Sequence, residues 1–135
     1  MSDDLPIIEF AFPGPLRDRL LAAIESGAKT TTSSLLVEYE VGDEPVPVPG
    51  HRGVAVDSAG EKTLVIETTA VDIVPLRSVS LHHALAEGEG YETVADWRAG
   101  HMTFWSSDEM RLELGPSHEV TDDSLVVIER FVVVR

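Results

Sequence analysis

The chain has 135 residues, with 24 acidic and 10 basic side chains, a formal net charge of −14 and no cysteine. A domain of this length buries a sizeable core, and the lack of thiols excludes disulfides and thiolate metal sites. So few cations cannot assemble a broad nucleic-acid groove, and the negative charge opposes anionic membrane surfaces.

The whole chain, 1–135, reads as one domain, with residues 1–8 as a flexible tail. The start, MSDDLPIIEF, lacks the basic and apolar regions of a secretory signal. No apolar run approaches the ~18 residues that span a bilayer, so a cytoplasmic protein without membrane contact is expected. Gly14-Pro15 opens a helix over 15–26, with Pro15 suited to its first position. Leu16, Leu20, Leu21 and Ile24 form its apolar stripe, Arg17, Asp18, Arg19 and Glu25 fall on the wet side, and Gly27 ends it. Residues 28–34 (AKTTTSS) read as a polar loop. Residues 35–40 are too few for periodicity to choose between helix and strand, and 43–50 (DEPVPVPG) form an extended loop.

Residues 51–57 and 62–74 read as strands joined by a turn at Asp57–Gly60, which makes a hairpin. On the second strand Val65, Glu67, Thr69, Val71 and Ile73 share one face, which sets a carboxylate among apolar neighbours. A short helix is expected over 80–86, interrupted by Glu87-Gly88-Glu89-Gly90. Thr93 and Asp96 then resemble a capping box, and Val94, Trp97, His101 and Phe104 or Trp105 follow at helical spacing. Residues 108–123 read as loop. Residues 125–134 form a last strand, apolar on both faces and therefore central; it supports a dimer only if it lies at an edge.

The loop Gly27-Ala28-Lys29-Thr30-Thr31-Thr32 carries G-x-K-x-x-T straight after the first helix. Further on come Ser33–Glu40, Val65-Ile66-Glu67-Thr68-Thr69, Glu87–Gly90, Trp97-Arg98 and His101 before Phe104-Trp105. In this order, over about residues 8–106, the set resembles the ASCH domain family of the PUA-like superfamily, in its bacterial, YhfF-like branch. The resemblance implies an α+β fold, a PUA-like partly closed β-barrel flanked by helices. It also implies a cleft for a nucleoside or modified nucleobase. Some members are amidohydrolases that deacylate N4-acetylcytidine with the signature Lys, the signature Thr and a strand Glu, here Lys29, Thr32 and Glu67. Others bind or cleave RNA, often with a basic residue two positions after the signature Thr. Ser34 stands there in this chain, which together with the charge disfavours RNA. An RNA-binding module would need a basic strip running from Arg17, Arg19 and Lys29 towards Arg52.

Around the catalytic set, Thr30, Thr31, Ser34, Tyr39 and Trp97 are the candidate substrate-binding residues, Tyr39 as a cleft wall and Trp97 as an aromatic for stacking. Two schemes are open. Either Thr32 attacks with neutral Lys29 as its base, or Glu67 activates water while charged Lys29 polarises the carbonyl and Thr32 orients the acyl group. Electrostatics favours the second, because a neighbouring carboxylate keeps the ammonium charged. No His-Glu pattern has zinc-ligand spacing, so no metal or cofactor is expected. His101 is expected to pack beside Trp97, one helical turn earlier.

Overall fold

Pro15 at the first turn and Gly27 at the end, left-handed at φ 87°, bound the first helix, α1 (Pro15–Ser26). The computed structural model describes residues 5–135. The remaining elements are β1 (Ile7–Ile8), β2 (Thr31–Leu35), α2 (Leu36–Val41), β3 (Arg52–Val56), β4 (Lys62–Pro75), α3 (Leu81–Ala86), α4 (Val94–Trp105), α5 (Asp108–Leu114) and β5 (Leu125–Val134).

The strands form one sheet in the order β1-β3-β4-β5-β2. β1 is parallel to β3 and all other pairs are antiparallel. The edge strands β1 and β2 do not pair with one another, so the sheet curls into a partly closed barrel flanked by helices, an α+β arrangement. The final strand lies between β4 and β2, away from either edge. Its two faces serve two clusters. Val126 packs with Leu35, Leu76, Trp97, Trp105 and Met110 under α4 and α5, while Phe131 packs with Phe10, Leu21, Ile24 and Ile66 under α1.

Four expectations need correction. Residues 31–34, read as loop, form β2 together with Leu35; the hydroxyls of Thr31, Ser33 and Ser34 bond polar partners instead of presenting an apolar face, which hides the strand. Residues 108–114, also read as loop, form α5, capped by Ser107 Oγ accepting from Met110 N–H at 3.3 Å. Of the expected tail, residues 1–4 lie outside the described residues, while Ile7 and Ile8 pair with Val54 and Ala55. Arg17 is buried, not wet (2% exposed). Its guanidinium donates to Phe10 O (3.1 Å), Ala11 O (2.8 Å) and Asp57 O (3.2 Å), clamping the segment after β1 against α1 and the hairpin.

β4 carries a bulge. Thr68 pairs with Phe131 but Ala70 with Arg130, so Thr69 is the extra residue and alternation changes face beyond it.

Candidate functional site

The site grows from the stop of α1. After Gly27 the Lys29 N–H donates to Ala23 O at 3.0 Å, and the side chain turns inward until only 2% of the residue is exposed. The ammonium donates to Thr31 O at 2.9 Å and Glu89 Oε2 at 3.0 Å, and meets Glu87 Oε1 at 3.4 Å. An ammonium has three donors, and here each has an acceptor. Removed from water, the cation is tolerable only because carboxylates compensate it.

Both carboxylates come from the Glu87–Gly90 turn between α3 and α4. Gly88 has φ 64°, and a Cβ there meets Ala28 O at 2.2 Å and Lys29 N at 2.7 Å. Two backbones can touch at this point only because a hydrogen replaces a side chain. Gly88→Ala is therefore expected to push the Lys29 loop off the turn and to destabilise the domain by about 1–3 kcal/mol, as overpacking does. Urea denaturation measures the loss.

Glu87 is 1% exposed and is the centre of a polar cluster. Its Oε2 accepts from Trp97 Nε1 and from Ser33 Oγ (3.1 Å) and lies 3.1 Å from His83 Nε2; its Oε1 lies 3.4 Å from His101 Nε2. Burial alone pushes a carboxyl pKa up, but the hydrogen bonds from His101 and His83 and the charges of His101 and Lys29 outweigh it and hold Glu87 far below the usual range. His101 stacks on Trp97 with centroids 4.3 Å apart and gives its Nδ1 proton to Trp97 O at 2.9 Å. Burial disfavours its charge, yet the bond and charge of Glu87 prevail, so its pKa is raised. Glu89 goes the other way: burial pushes its carboxyl up and Lys29 only partly offsets this.

A cavity of about 390 Å³ opens between the two sheet edges, with residues 8–13 on one side and Thr32, Ser33 and Ser34 of β2 on the other. Lys29, Glu87 and Glu89 border it, as do Tyr91, His101 and Phe104. Tyr39 adds a wall through a 2.9 Å bond between its hydroxyl and Ser34 Oγ, and burial pushes its phenol up to about 12. Glu129, opposite Thr32 on β5, also lines the cavity and accepts from Thr68 Oγ1 at 2.7 Å. Its carboxyl too is raised by burial.

A family model of the ASCH domain matches residues 8–135. The chain belongs to the ASCH domain family. Solved structures similar to this ASCH domain include protein EF3133 of Enterococcus faecalis V583, 30% identical with a TM-score of 0.82, covering 96% of this chain and 76% of that one. The ASCH domain of Lactobacillus crispatus JV V101 is 30% identical with a TM-score of 0.78, covering 95% and 79%. The hypothetical protein PH0355, at 13% identity and a TM-score of 0.56 over 94% and 100% of the two chains, shares the fold. No curated protein matches the sequence. The partly closed barrel is thus the PUA-like fold.

The ASCH cleft gathers Lys29, Thr32, Ser34 and Tyr39 on one cavity. It leaves out four residues that the sequence suggested. Thr30 is exposed and its hydroxyl reaches Ala86 O at 3.4 Å. Thr31 is buried, bonded to His83 and to Glu129 O. Trp97 is fully buried in the core, where it serves Glu87. Glu67 is the principal correction. Ile66 and Thr68 point inward, so Glu67 points to the other face, where its Oε1 accepts from Arg52 Nε at 2.8 Å. The carboxylates beside Lys29 are Glu87 and Glu89, and Glu-Gly-Glu-Gly was the only trace of them in the sequence.

Glu87, Glu89 and His101 each bring one possible metal-ligand atom, all within 4.8 Å of one another. The Lys29 ammonium already takes the cationic place beside both carboxylates. Among the described residues the basic strip that RNA binding needs is broken: Arg17 and Lys29 are buried and Arg52 pairs with Glu67, which leaves Arg19 as the exposed, unshared cation of the four. No helix among the described residues is long and apolar enough to cross a membrane.

Proposed function

We propose that the cleft binds a nucleoside or modified nucleobase and hydrolyses an exocyclic N-acyl group from a cytidine-like substrate. The observation that carries this is a buried ammonium paired with carboxylates on the wall of a nucleobase-sized cavity, one of those carboxylates having a raised proton affinity. Membership of a family associated with RNA and nucleobases supports the substrate class, while the acidic charge and the break in the basic strip disfavour RNA.

Lys29 has two anionic neighbours, so it acts as a cation and not as a base. It polarises the acyl carbonyl when the substrate oxygen takes the place of Glu89, whose side chain is the more open of its two acidic partners at 16% exposed. Glu89, once released, takes a proton from water; this is the role that the sequence reading gave to Glu67. Thr32 orients the acyl group, and Tyr39, Tyr91 and Phe104 give the base apolar faces.

The test is release of acetate from N4-acetylcytidine by purified protein, with Lys29→Ala in parallel. Turnover by the wild type and a loss of ~10²–10³-fold in the variant is the expected result, the size seen when an oxyanion donor is removed. Equal turnover by the two proteins, or none by a folded wild type, refutes the assignment.

A further inference from the structure

Glu129 has no part in the scheme above, yet it stands where a carboxylate is hard to keep. It lies on β5, inside the sheet, and its neighbours on the same face, Val127 and Phe131, are buried. Its Oε2 accepts the single proton of the Thr68 hydroxyl at 2.7 Å. Among the described residues no group bonds its Oε1 and no cation forms an ion pair with it; the charge that acts on it is that of His51, just before β3. Burial outweighs Thr68 and His51 and raises its proton affinity, and its own charge helps to raise that of Tyr39, which faces it from α2. Thr68 also fixes where the proton of the neutral acid sits. Oε2, which takes the threonine hydrogen, is the carbonyl oxygen, so the acid hydrogen is on Oε1. Glu129 borders the cavity and is the cross-strand partner of Thr32, and side chains so paired start about 4.5–5.5 Å apart at Cβ. An acyl group held by Thr32 therefore brings the ring nitrogen beside it within reach of this acid.

We infer that Glu129 hands a proton to ring N3 of the bound pyrimidine, and that this transfer lets the exocyclic nitrogen leave. Expelled as an anion, that nitrogen is a poor leaving group; with N3 protonated it departs as a neutral imino tautomer. Water attacks the acyl carbonyl as its proton goes to Glu89, and the negative charge on the carbonyl oxygen falls beside Lys29. The Glu129 proton passes to N3, the bond between the acyl carbon and N4 breaks, and its electron pair stays on N4. Glu89 then gives its proton to N4 while N3 returns the other to Glu129. The products are the ordinary amino tautomer and a carboxylic acid, and both glutamates are as they began. The acyl step rests on the function proposed above; recognition of N3 by Glu129 does not.

The experiment measures calorimetric binding of cytidine and of 3-deazacytidine, which carries C–H in place of N3, with hydrolysis of N4-acetylcytidine in parallel. The wild type should prefer cytidine by about 10-fold, the upper end for one hydrogen bond, and the preference should fade as rising pH takes the proton from Oε1. Glu129→Gln keeps a carbonyl for Thr68 and an N–H donor for N3 but has no proton to transfer. In it the preference should stay, turnover should fall ~10²–10⁴-fold, and the alkaline limb of the wild-type pH profile should disappear. Glu129→Ala should lose preference and turnover together. A carboxyl that only served Thr68 would leave the two nucleosides equal in every protein. Melting curves establish that the variants fold; where Glu129→Ala does not, the wild-type preference and the Gln variant decide. Equal affinity for the two nucleosides in the wild type, or an alkaline limb unchanged in Glu129→Gln, overturns the role of Glu129, and turnover of N4-acetylcytidine then leaves the deacylase reading intact. A preference that depends on Glu129, with no turnover by the wild type, does the reverse.

Discussion

Glu87→Ala is expected to lower the unfolding free energy by about 3–5 kcal/mol, the loss typical of breaking one side of a buried ion pair. The reason lies in how many groups depend on this carboxylate. Lys29 Nζ, Ser33 Oγ, Trp97 Nε1 and the Nε2 atoms of His83 and His101 all point at it. Removal leaves these donors facing an apolar void under Trp97, and a buried unpaired donor loses its full hydration. The charge partners suffer as well, since Glu89 alone must then compensate Lys29. Glu67→Ala is the control. It breaks a half-exposed pair with Arg52, and such pairs contribute about 0–1 kcal/mol. Urea midpoints of the two variants measured side by side check the contrast; similar losses would show that burial of the cluster contributes little.

Glu89→Gln is expected to lower kcat on an N-acylated cytidine by ~10²–10⁴-fold, the range for a positioned proton acceptor, while Glu67→Gln keeps wild-type turnover. The pH profile carries the sharper signature. Only the ionised form of Glu89 can take a proton from water, and burial raises its pKa above the ordinary 4.5. Activity should therefore fall with acidification at a pH higher than an exposed carboxylate dictates, through the raised pKa. A profile governed by an ordinary carboxylate, or loss of activity in Glu67→Gln, contradicts this placement.

The elements that the sequence made legible are those whose side chains answer to one requirement. α1 has an apolar stripe, a proline start and a glycine stop, and nothing else acts on it except at Arg17, where backbone carbonyls of Phe10, Ala11 and Asp57 draw in a guanidinium. The β3–β4 hairpin and β5 follow from β-branched content, and Thr93 caps α4 by accepting from Asp96 N–H at 3.0 Å. β2 was hidden because its residues answer to polar partners: Thr31 and Ser33 bond His83, and Ser34 bonds Tyr39. α5 was hidden because Met110 is its single buried residue.

The cleft was half legible for a related reason. Lys29 and Thr32 sit in a recognisable local motif. Strict alternation along β4 could not say which face looks inward, and it grouped Val71 and Ile73 with Glu67, although the bulge at Thr69 moves them to the other face; those apolar partners made the wrong face attractive. Ile73 is in fact 45% exposed. The carboxylates that matter lie 58 and 60 positions beyond Lys29 in a glycine-rich turn, where no period exists to betray them.

β2 is an edge strand, and edge strands invite other chains to add to the sheet. Here α3 lies along that border: Thr30 N–H donates to Ala86 O at 3.0 Å, and His83 holds the hydroxyls of Thr31 and Ser33. The groups that furnish the cleft are thereby also a fence against self-association. A domain of this kind cannot redesign its pocket freely, because every change near His83 or Glu87 also alters how safely the sheet ends.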